Sequence, residues 1–367
     1  MVGFMNSAAS SSGSSSASSS SSDAATPAPS STTAGAAGPV RVAYLGPEGT
    51  FTEQALRDMQ EEGFVPEDAE AVPVTSPRAA LDMVRAGDAD YACVALESSV
   101  DGPVSQTEDA LAYGEPLQIF HEVLVPVVFS ILVRPGEGDA AADLSSISTF
   151  TTHPVAEAQV RNWIAENIPN ARFIPASSNG AAAQAVAEGK ADAAAAPARA
   201  GDIHHLRAVA GGVADIQGAY TRFVLIGRPS KPTGRTGHDR TGVILTLQNR
   251  PASLLDALAE LSTRGVDMSR ISSRPLRRED GTRMGMYMFH VAIVGHIDDA
   301  AVAEALAGLY RSTESVRYLG SWPAADEVMR PGAHDGSRDR VNRHAGSAPP
   351  SYTASHQWIA NLQEGRQ

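Results

Sequence analysis

The same order of caps, apolar runs and glycine stops appears twice along this chain, about a hundred residues apart. This repeat limits the fold more than any other feature. In the first passage an apolar run at 40–45 leads into the turn Gly46-Pro47-Glu48-Gly49. Thr50-Phe51-Thr52-Glu53 follows with the hydroxyl-x-x-acid spacing of a capping box, which predicts a helix to about Met59. Ser76-Pro77 opens the next helix and Gly87 stops it. Residues 91–96 then form a short apolar run that ends at Glu97-Ser98-Ser99. In the second passage 144–148 reads as a strand, and Thr151-Thr152-His153-Pro154 puts a proline at a first helical position. Ser178-Asn179 caps an alanine-rich helix that Gly189 stops, and 193–196 is the closing strand. At an offset of 102, Thr50 pairs with Thr152, Ser76 with Ser178, Val84 with Val186, Gly87 with Gly189 and Asp90 with Asp192.

Strand, helix and strand with short connections is the pattern of a parallel βαβ unit. Two such passages predict two lobes, each an open α/β sheet, with the chain returning at about 213–227. Ligands of such sheets bind beyond the carboxyl ends of strands, here in the crevice between lobes.

The pattern changes after 228–240, a linker rich in proline, glycine and charge. A strand at 243–247, a helix at 251–264 closed by Gly265, and a strand at 266–274 follow. Asp280-Gly281 marks a turn, and then come a strand at 287–294, a helix at 298–311 and a strand at 316–319. The order is βαββαβ, a ferredoxin-like module. The expected division is 1–38 as a disordered tail, 40–227 as the two-lobed unit, 228–240 as linker, 241–323 as the second module and 326–367 as a mostly disordered tail, with a short helix near Trp358–Leu362. Residues 1–38 are almost free of bulky apolar side chains and cannot offset their ordering entropy.

A net charge of −13 argues against nucleic acid and anionic membranes as partners. No apolar run is long enough to cross a bilayer. Cys93 is the only cysteine; it excludes an intramolecular disulfide and a cysteine metal cluster and suits a reducing cytoplasm. It lies in the apolar run 91–96 and reads as core. His204-His205 has no acidic or cysteine partner at metal spacing, so no metal site is expected. Met284, Met286 and Met288 alternate on one strand face and read as packing.

An anionic ligand would therefore need a local positive site. Helix starts near Thr50, Ser98/Ser99, Thr152 and Ser178 each offer backbone N–H groups, a hydroxyl and the positive end of a helix dipole. Ordinary capping explains any one of them; several sites at corresponding lobe positions, together with Arg222, describe a cleft for a small molecule with more than one carboxylate. Thr221-Arg222-Phe223 opens an apolar strand just before the linker and sets a hydroxyl beside a guanidinium.

Tyr44-Leu-Gly-Pro-Glu-Gly-Thr-Phe51, Leu96-Glu-Ser-Ser-Val-Asp-Gly-Pro103, Thr152-His-Pro154, Ser177-Ser178-Asn179 and Thr221-Arg-Phe223 stand in the order found in prephenate dehydratases. The second module resembles an ACT domain through Asn249-Arg-Pro-Ala-Ser-Leu-Leu255 and Ile271-Ser-Ser-Arg-Pro275. The resemblance covers about 40–323. It implies a periplasmic-binding-protein-like catalytic domain and a regulatory ACT domain. It also implies a hydro-lyase that removes water and carbon dioxide from prephenate to give phenylpyruvate in phenylalanine biosynthesis. Aromatisation drives that reaction, so neither a metal nor an organic cofactor is required; a proton donor, tight orientation and a dry site are.

The resemblance assigns the decisive hydroxyl to Thr221. Glu97 is the nearest carboxylate, either a proton source or an acceptor for backbone N–H groups at the turn. Arg222 either holds a carboxylate or supports the loop, and Phe223 contacts substrate or lies in the core. Thr50, Ser98, Ser99, Thr152, His153 and Ser178 are the remaining substrate-site candidates. Asn249, Ala252, Ser253, Leu254 and Ser273 would bind the effector phenylalanine. Departures from the family pattern are Ser98 for an asparagine, Ala219 for an asparagine, Ala252-Ser253-Leu254 for Gly-Ala-Leu, and Ser272 for a glutamate. A homodimer or dimer of dimers is implied, since ACT modules pair edge to edge. The rival readings are an arogenate dehydratase and a non-catalytic amino-acid sensor. All the catalytic motifs precede the linker, which predicts chemistry separable from the second module.

Overall fold

The structure, a computed structural model, describes residues 38–136, 144–278, 281–325 and 361–362. The chain divides into two units, Met1–Ala325 and Asp326–Gln367. Of the second unit only Asn361 and Leu362 are described, both helical. The expectations for 1–37 and for most of 326–367 lie outside the described residues, as do Asp280 and the side chain of Met284. Among the described residues no helix is long and apolar enough to cross a membrane.

The first unit opens with β1 (Arg41–Leu45), α1 (Phe51–Glu61), β2 (Glu70–Val74), α2 (Pro77–Ala86) and β3 (Tyr91–Ser98). The short β4 (Gly102–Pro103), α3 (Ser105–Ala112) and β5 (Gln118–Pro126) follow. The chain then crosses to a second sheet through β6 (Ser130–Val133), β7 (Thr149–Thr152), α4 (Pro154–Ala158), α5 (Arg161–Asn167), β8 (Arg172–Pro175), α6 (Asn179–Ala187), β9 (Ala193–Ala196), α7 (Ala198–Ile203) and β10 (Arg207–Gly211). It returns with β11 (Tyr220–Gly227). The last part is β12 (Asp239–Thr246), α8 (Ser253–Ser262), β13 (Met268–Arg278), β14 (Gly281–Val294), α9 (Ala300–Ser312) and β15 (Ser315–Pro323).

The two α/β sheets share one plan. The first runs β2-β1-β3-β11-β5, with β4 attached to β3; the second, taken from its other end, runs β8-β7-β9-β6-β10. In each, three parallel strands are flanked by an antiparallel fourth, β11 in the first sheet and β6 in the second. The repeated caps explain this. Ser76 accepts from Ala79 N–H at the start of α2, and Ser178 accepts from Ala181 N–H at the start of α6, each at 3.1 Å. Gly87 closes α2 with φ 84, a conformation that glycine adopts without steric cost. Asp90 accepts from Arg41 N–H at the start of β1, and Asp192 accepts from Ser148 and Thr149 N–H at the start of β7.

Two expectations need correction. Residues 144–148 are not a strand: Leu144–Ser146 is one turn of 3-10 helix, and β7 begins where Asp192 receives its N–H groups. Thr50 and Thr152 are not equivalent, because the turn between β1 and α1 is 46–50, whereas His153 alone separates β7 from α4.

The third sheet has the order β13-β14-β12-β15, antiparallel throughout, with α8 and α9 packed on it. It is not a separate body. Ile244, Met288, Leu319 and Trp322 share one core with Leu96, Ile119, Val224 and Ile226 of the first sheet. Gly320 lies against β5 so closely that an added Cβ would collide with the Ile119 carbonyl. Cutting the chain at the linker would expose this core, so chemistry separable from the second module does not follow.

Candidate active site at the lobe junction

Residues 98 and 221, far apart in sequence, become cross-strand partners. Thr221 is opposite Ser98, and Arg222 opposite Glu97, on the antiparallel pair β3–β11. The junction is tied at its end: Ser99 N–H donates to the Tyr220 carbonyl, and Tyr220 N–H donates to Ser99 Oγ, both at 2.9 Å. Side chains alternate along β11. Phe223 and Leu225 enter the core beneath α1, while Val224 and Ile226 face the third sheet. Thr221 shares the Phe223 face and Arg222 the other.

A β-bulge decides where Glu97 points. Arg222 pairs with Glu97, but Phe223 pairs with Ala95, leaving Leu96 as the extra residue on β3. Leu96 belongs to the core shared with the third sheet, and without the bulge Glu97 would face the opposite way. With it, the Glu97 carboxylate lies 3.2 Å from Arg270 Nε and 3.6 Å from Arg222 Nε. Glu97 therefore binds guanidinium groups rather than turn N–H groups, on the face opposite Thr221. That placement corrects its reading as the proton source nearest the reacting hydroxyl.

Arg222 is likewise not aimed at a cleft. Its side chain is 7% exposed and donates to Glu122, whose side chain is fully buried. Glu122 also accepts from Trp322 Nε1 at 2.9 Å and Ala325 N–H at 2.9 Å, and lies 3.3 Å from Arg240 Nε. Burial lowers the Arg240 pKa, an effect that Glu122 opposes. Phe223, 2% exposed, is core rather than substrate contact.

Most of the nominated hydroxyls already have work inside the chain. Thr50 accepts from Glu53 N–H and donates to the Leu45 carbonyl. Thr152 is fully buried; it donates to the Ala195 carbonyl and accepts from Asn179 Nδ2. Within the chain they serve as a cap and a brace. Ser178 accepts from Ala181 N–H. Ser98 accepts from Val100 and Asp101 N–H, so it shapes the β3–β4 turn; no helix starts there, contrary to expectation. His153 caps α4 through Nδ1, which accepts from Val155 N–H, and burial lowers its pKa and keeps the ring neutral for that role. Thr221 differs: it is half-buried, and among the described residues its hydroxyl makes no hydrogen bond within the chain.

The two lobes are joined by side chains that sequence reasoning did not nominate. Arg199 on α7 lies 3.1 Å from Glu53 on α1, and Gln159 Nε2 donates to Asp101 at 2.7 Å. Burial alone would raise the Glu53 pKa; the Gly49 N–H, Arg199 and Arg57 outweigh it and hold the carboxyl below its usual value. The capping-box spacing revealed Glu53 only as a local cap. Nothing local to 101 or 199 points to a partner in the other lobe. The turn before α1 packs tightly on α6: a Cβ at Gly180 would stand 2.6 Å from the Glu48 carbonyl.

Among the described residues no three metal-ligating side chains converge. In the third sheet, Asn249 and Ala252 are exposed, Ser253 and Leu254 are half-buried at the start of α8, and Ser273 is exposed on the edge strand β13. Ala252 has φ 65, a left-handed conformation that disfavours any residue with a Cβ.

Residues 42–231 match the family model for prephenate dehydratase. A prephenate dehydratase of Mycolicibacterium gilvum is 46% identical over 331 residues, 89% of this chain and 99% of that protein. The solved prephenate dehydratase of Arthrobacter aurescens, in complex with L-Phe, is 37% identical with a TM-score of 0.71 and covers 89% of this chain and 100% of its own. GqqA, described as a quorum quenching acylase, is 27% identical with a TM-score of 0.66 and covers 78% of this chain and 98% of its own.

Proposed function

The chain belongs to the prephenate dehydratase family, and we propose that its chemistry is centred on Thr221 at the junction of β3 and β11. The reaction is the decarboxylative dehydration of prephenate to phenylpyruvate. The ring carboxylate leaves as carbon dioxide, its bonding electrons enter the ring, and the C4 hydroxyl departs with a proton as water. The observation that carries the placement is the Thr221 hydroxyl, the one catalytic-unit candidate hydroxyl whose donor and acceptor are both open among the described residues. A threonine is too weak an acid to protonate the leaving group outright. It hydrogen-bonds the departing oxygen and relays a proton from solvent. The N–H groups at the start of α6, with Ser178, are in reach of a substrate carboxylate bound between the lobes.

The domain reading supported by this fold is a two-lobed catalytic part at 40–227, a linker at 228–240 and an ACT regulatory module at 241–323, ferredoxin-like in strand order. Phenylalanine is the proposed effector, bound near Asn249, Ala252, Ser253, Leu254 and Ser273. The Phe-bound relative and the exposure of Asn249, Ala252 and Ser273 support this, since a second copy would complete the pocket in a homodimer or dimer of dimers. The cytoplasm is the proposed compartment for a chain whose one cysteine is buried and free. The deciding assay incubates purified full chain with prephenate or arogenate, follows phenylpyruvate or phenylalanine, and repeats both with added phenylalanine. Absence of turnover with both substrates overturns the reading; a preference for arogenate would revise the substrate alone.

A further inference from the structure

The third sheet reaches the catalytic strand end through one side chain. Arg270 on β13 is 10% exposed, and its Nε lies 3.2 Å from Glu97. Its terminal nitrogen donates to Glu108 on α3, a fully buried carboxylate that also accepts from Ser272 Oγ. A planar guanidinium can hold two carboxylates in one fixed geometry, which a lysine ammonium cannot. Glu97 directly follows the bulged residue and precedes Ser98, the partner of Thr221. Strand β4 folds back on Glu97 and Ser98, so the turn carrying Ser99 and Asp101 hangs from this point. Among the described residues, Arg222, Arg240 and Arg270 lie against Glu97, Glu108 and Glu122. A second group of contacts joins the same modules elsewhere. Arg274 holds Asp109 through two bonds of 2.9 and 3.0 Å, and touches neither Glu97 nor the strand end.

We propose that Arg270 is a positioning residue for the dehydratase reaction: a guanidinium from the third sheet that fixes the Glu97–Ser98 strand end against Thr221. This rests on the placement of the reaction at Thr221.

In the full chain, Arg270→Met should lower kcat about ten-fold or more, with a smaller change in KM, because displacing a catalytic strand end by a fraction of an ångström is costly in rate. Arg274→Met breaks a neighbouring contact between the same modules; it should lower Tm yet leave kcat and KM at wild-type values. In a Glu97→Gln background, adding Arg270→Met should change kcat by less than about two-fold, as expected for residues acting through one another. Arg270→Lys should fall between wild type and Arg270→Met, and it decides the matter if the methionine variant does not fold. Wild-type kcat for Arg270→Met or Arg270→Lys, in an enzyme that Thr221→Val disables, overturns the proposal. So does an equal loss of kcat in Arg274→Met, which would mean that docking of the modules alone is at work. Normal turnover in Thr221→Val would instead refute the placement of the reaction, a separate failure.

Discussion

Arg222 donates to Glu122 across the strand pair β11–β5, and both side chains are buried where the first and third sheets meet. A guanidinium that neighbours Thr221 in sequence thus faces away from its hydroxyl. Removing one partner of a buried pair leaves a charge without compensation. Arg222→Met should therefore cost about 3 kcal/mol of stability, the lower end for such pairs because Arg240 remains near Glu122. Chemical denaturation of the full chain checks this. A variant of normal stability with KM raised ten-fold or more would restore Arg222 as a substrate clamp.

Thr221→Val keeps the branched shape of the strand residue and removes only the hydroxyl. Turnover of prephenate should fall by about 10²–10⁴, the usual range for a positioned proton donor or relay. Circular dichroism and Tm should match wild type. Near-normal kcat would dismiss the role.

Ser76 and Ser178 make the same cap, one in each α/β sheet, so they form an internal control. Each change to alanine should cost about 1 kcal/mol of stability. Only Ser178→Ala should also raise KM, since α6 begins where the two lobes meet. Equal kinetics in both variants would leave Ser178 a cap alone.

His290 on β14 is 2% exposed, and burial, helped by Arg270 and Arg274 and opposed by Asp109, pushes its pKa down to about 3. The folded protein keeps this ring neutral, whereas the unfolded chain protonates it near the ordinary value of about 6.5. Stability from this residue is therefore complete above about pH 6.5 and falls as pH drops toward about 3, by up to about 1.4 kcal/mol per pH unit. Denaturation midpoints of wild type and His290→Gln across that window should differ in slope, the variant being flatter. Parallel slopes would show that other groups carry the acid sensitivity.

Ala252 occupies a left-handed conformation just before α8. Ala252→Gly should stabilise the chain by about 1 kcal/mol, because glycine carries no Cβ penalty there. The measurement is again a denaturation midpoint. A loss of stability would mean that the alanine methyl is needed for packing.

Much of this molecule is legible without coordinates. Ser76, Ser178, Gly87 and Gly189 announce helix ends by their own chemistry, and the runs at 91–96 and 193–196 read as strands because nothing polar interrupts them. The tripeptide at 221–223 and four further motifs point to a family. Errors arise where equal spacing is taken as equal structure. Thr50 and Thr152 stand at the common offset, yet the longer turn before α1 makes one a helix cap and the other the last residue of a strand.

Local patterns, which depend on the backbone periods of 3.6 and 2 and on the groups left open at helix ends, are set by the order of residues alone. They determine the two βαβ passages, the βαββαβ passage and the caps at Ser76 and Ser178. Tertiary structure alone decides which face Glu97 takes, because one extra residue opposite a distant strand reverses the alternation. It alone decides that Arg222 answers Glu122, that Arg270 reaches Glu97, and that the third sheet shares a core with the first. These outcomes depend on pairing between segments about a hundred residues apart or more, and no local propensity carries that register.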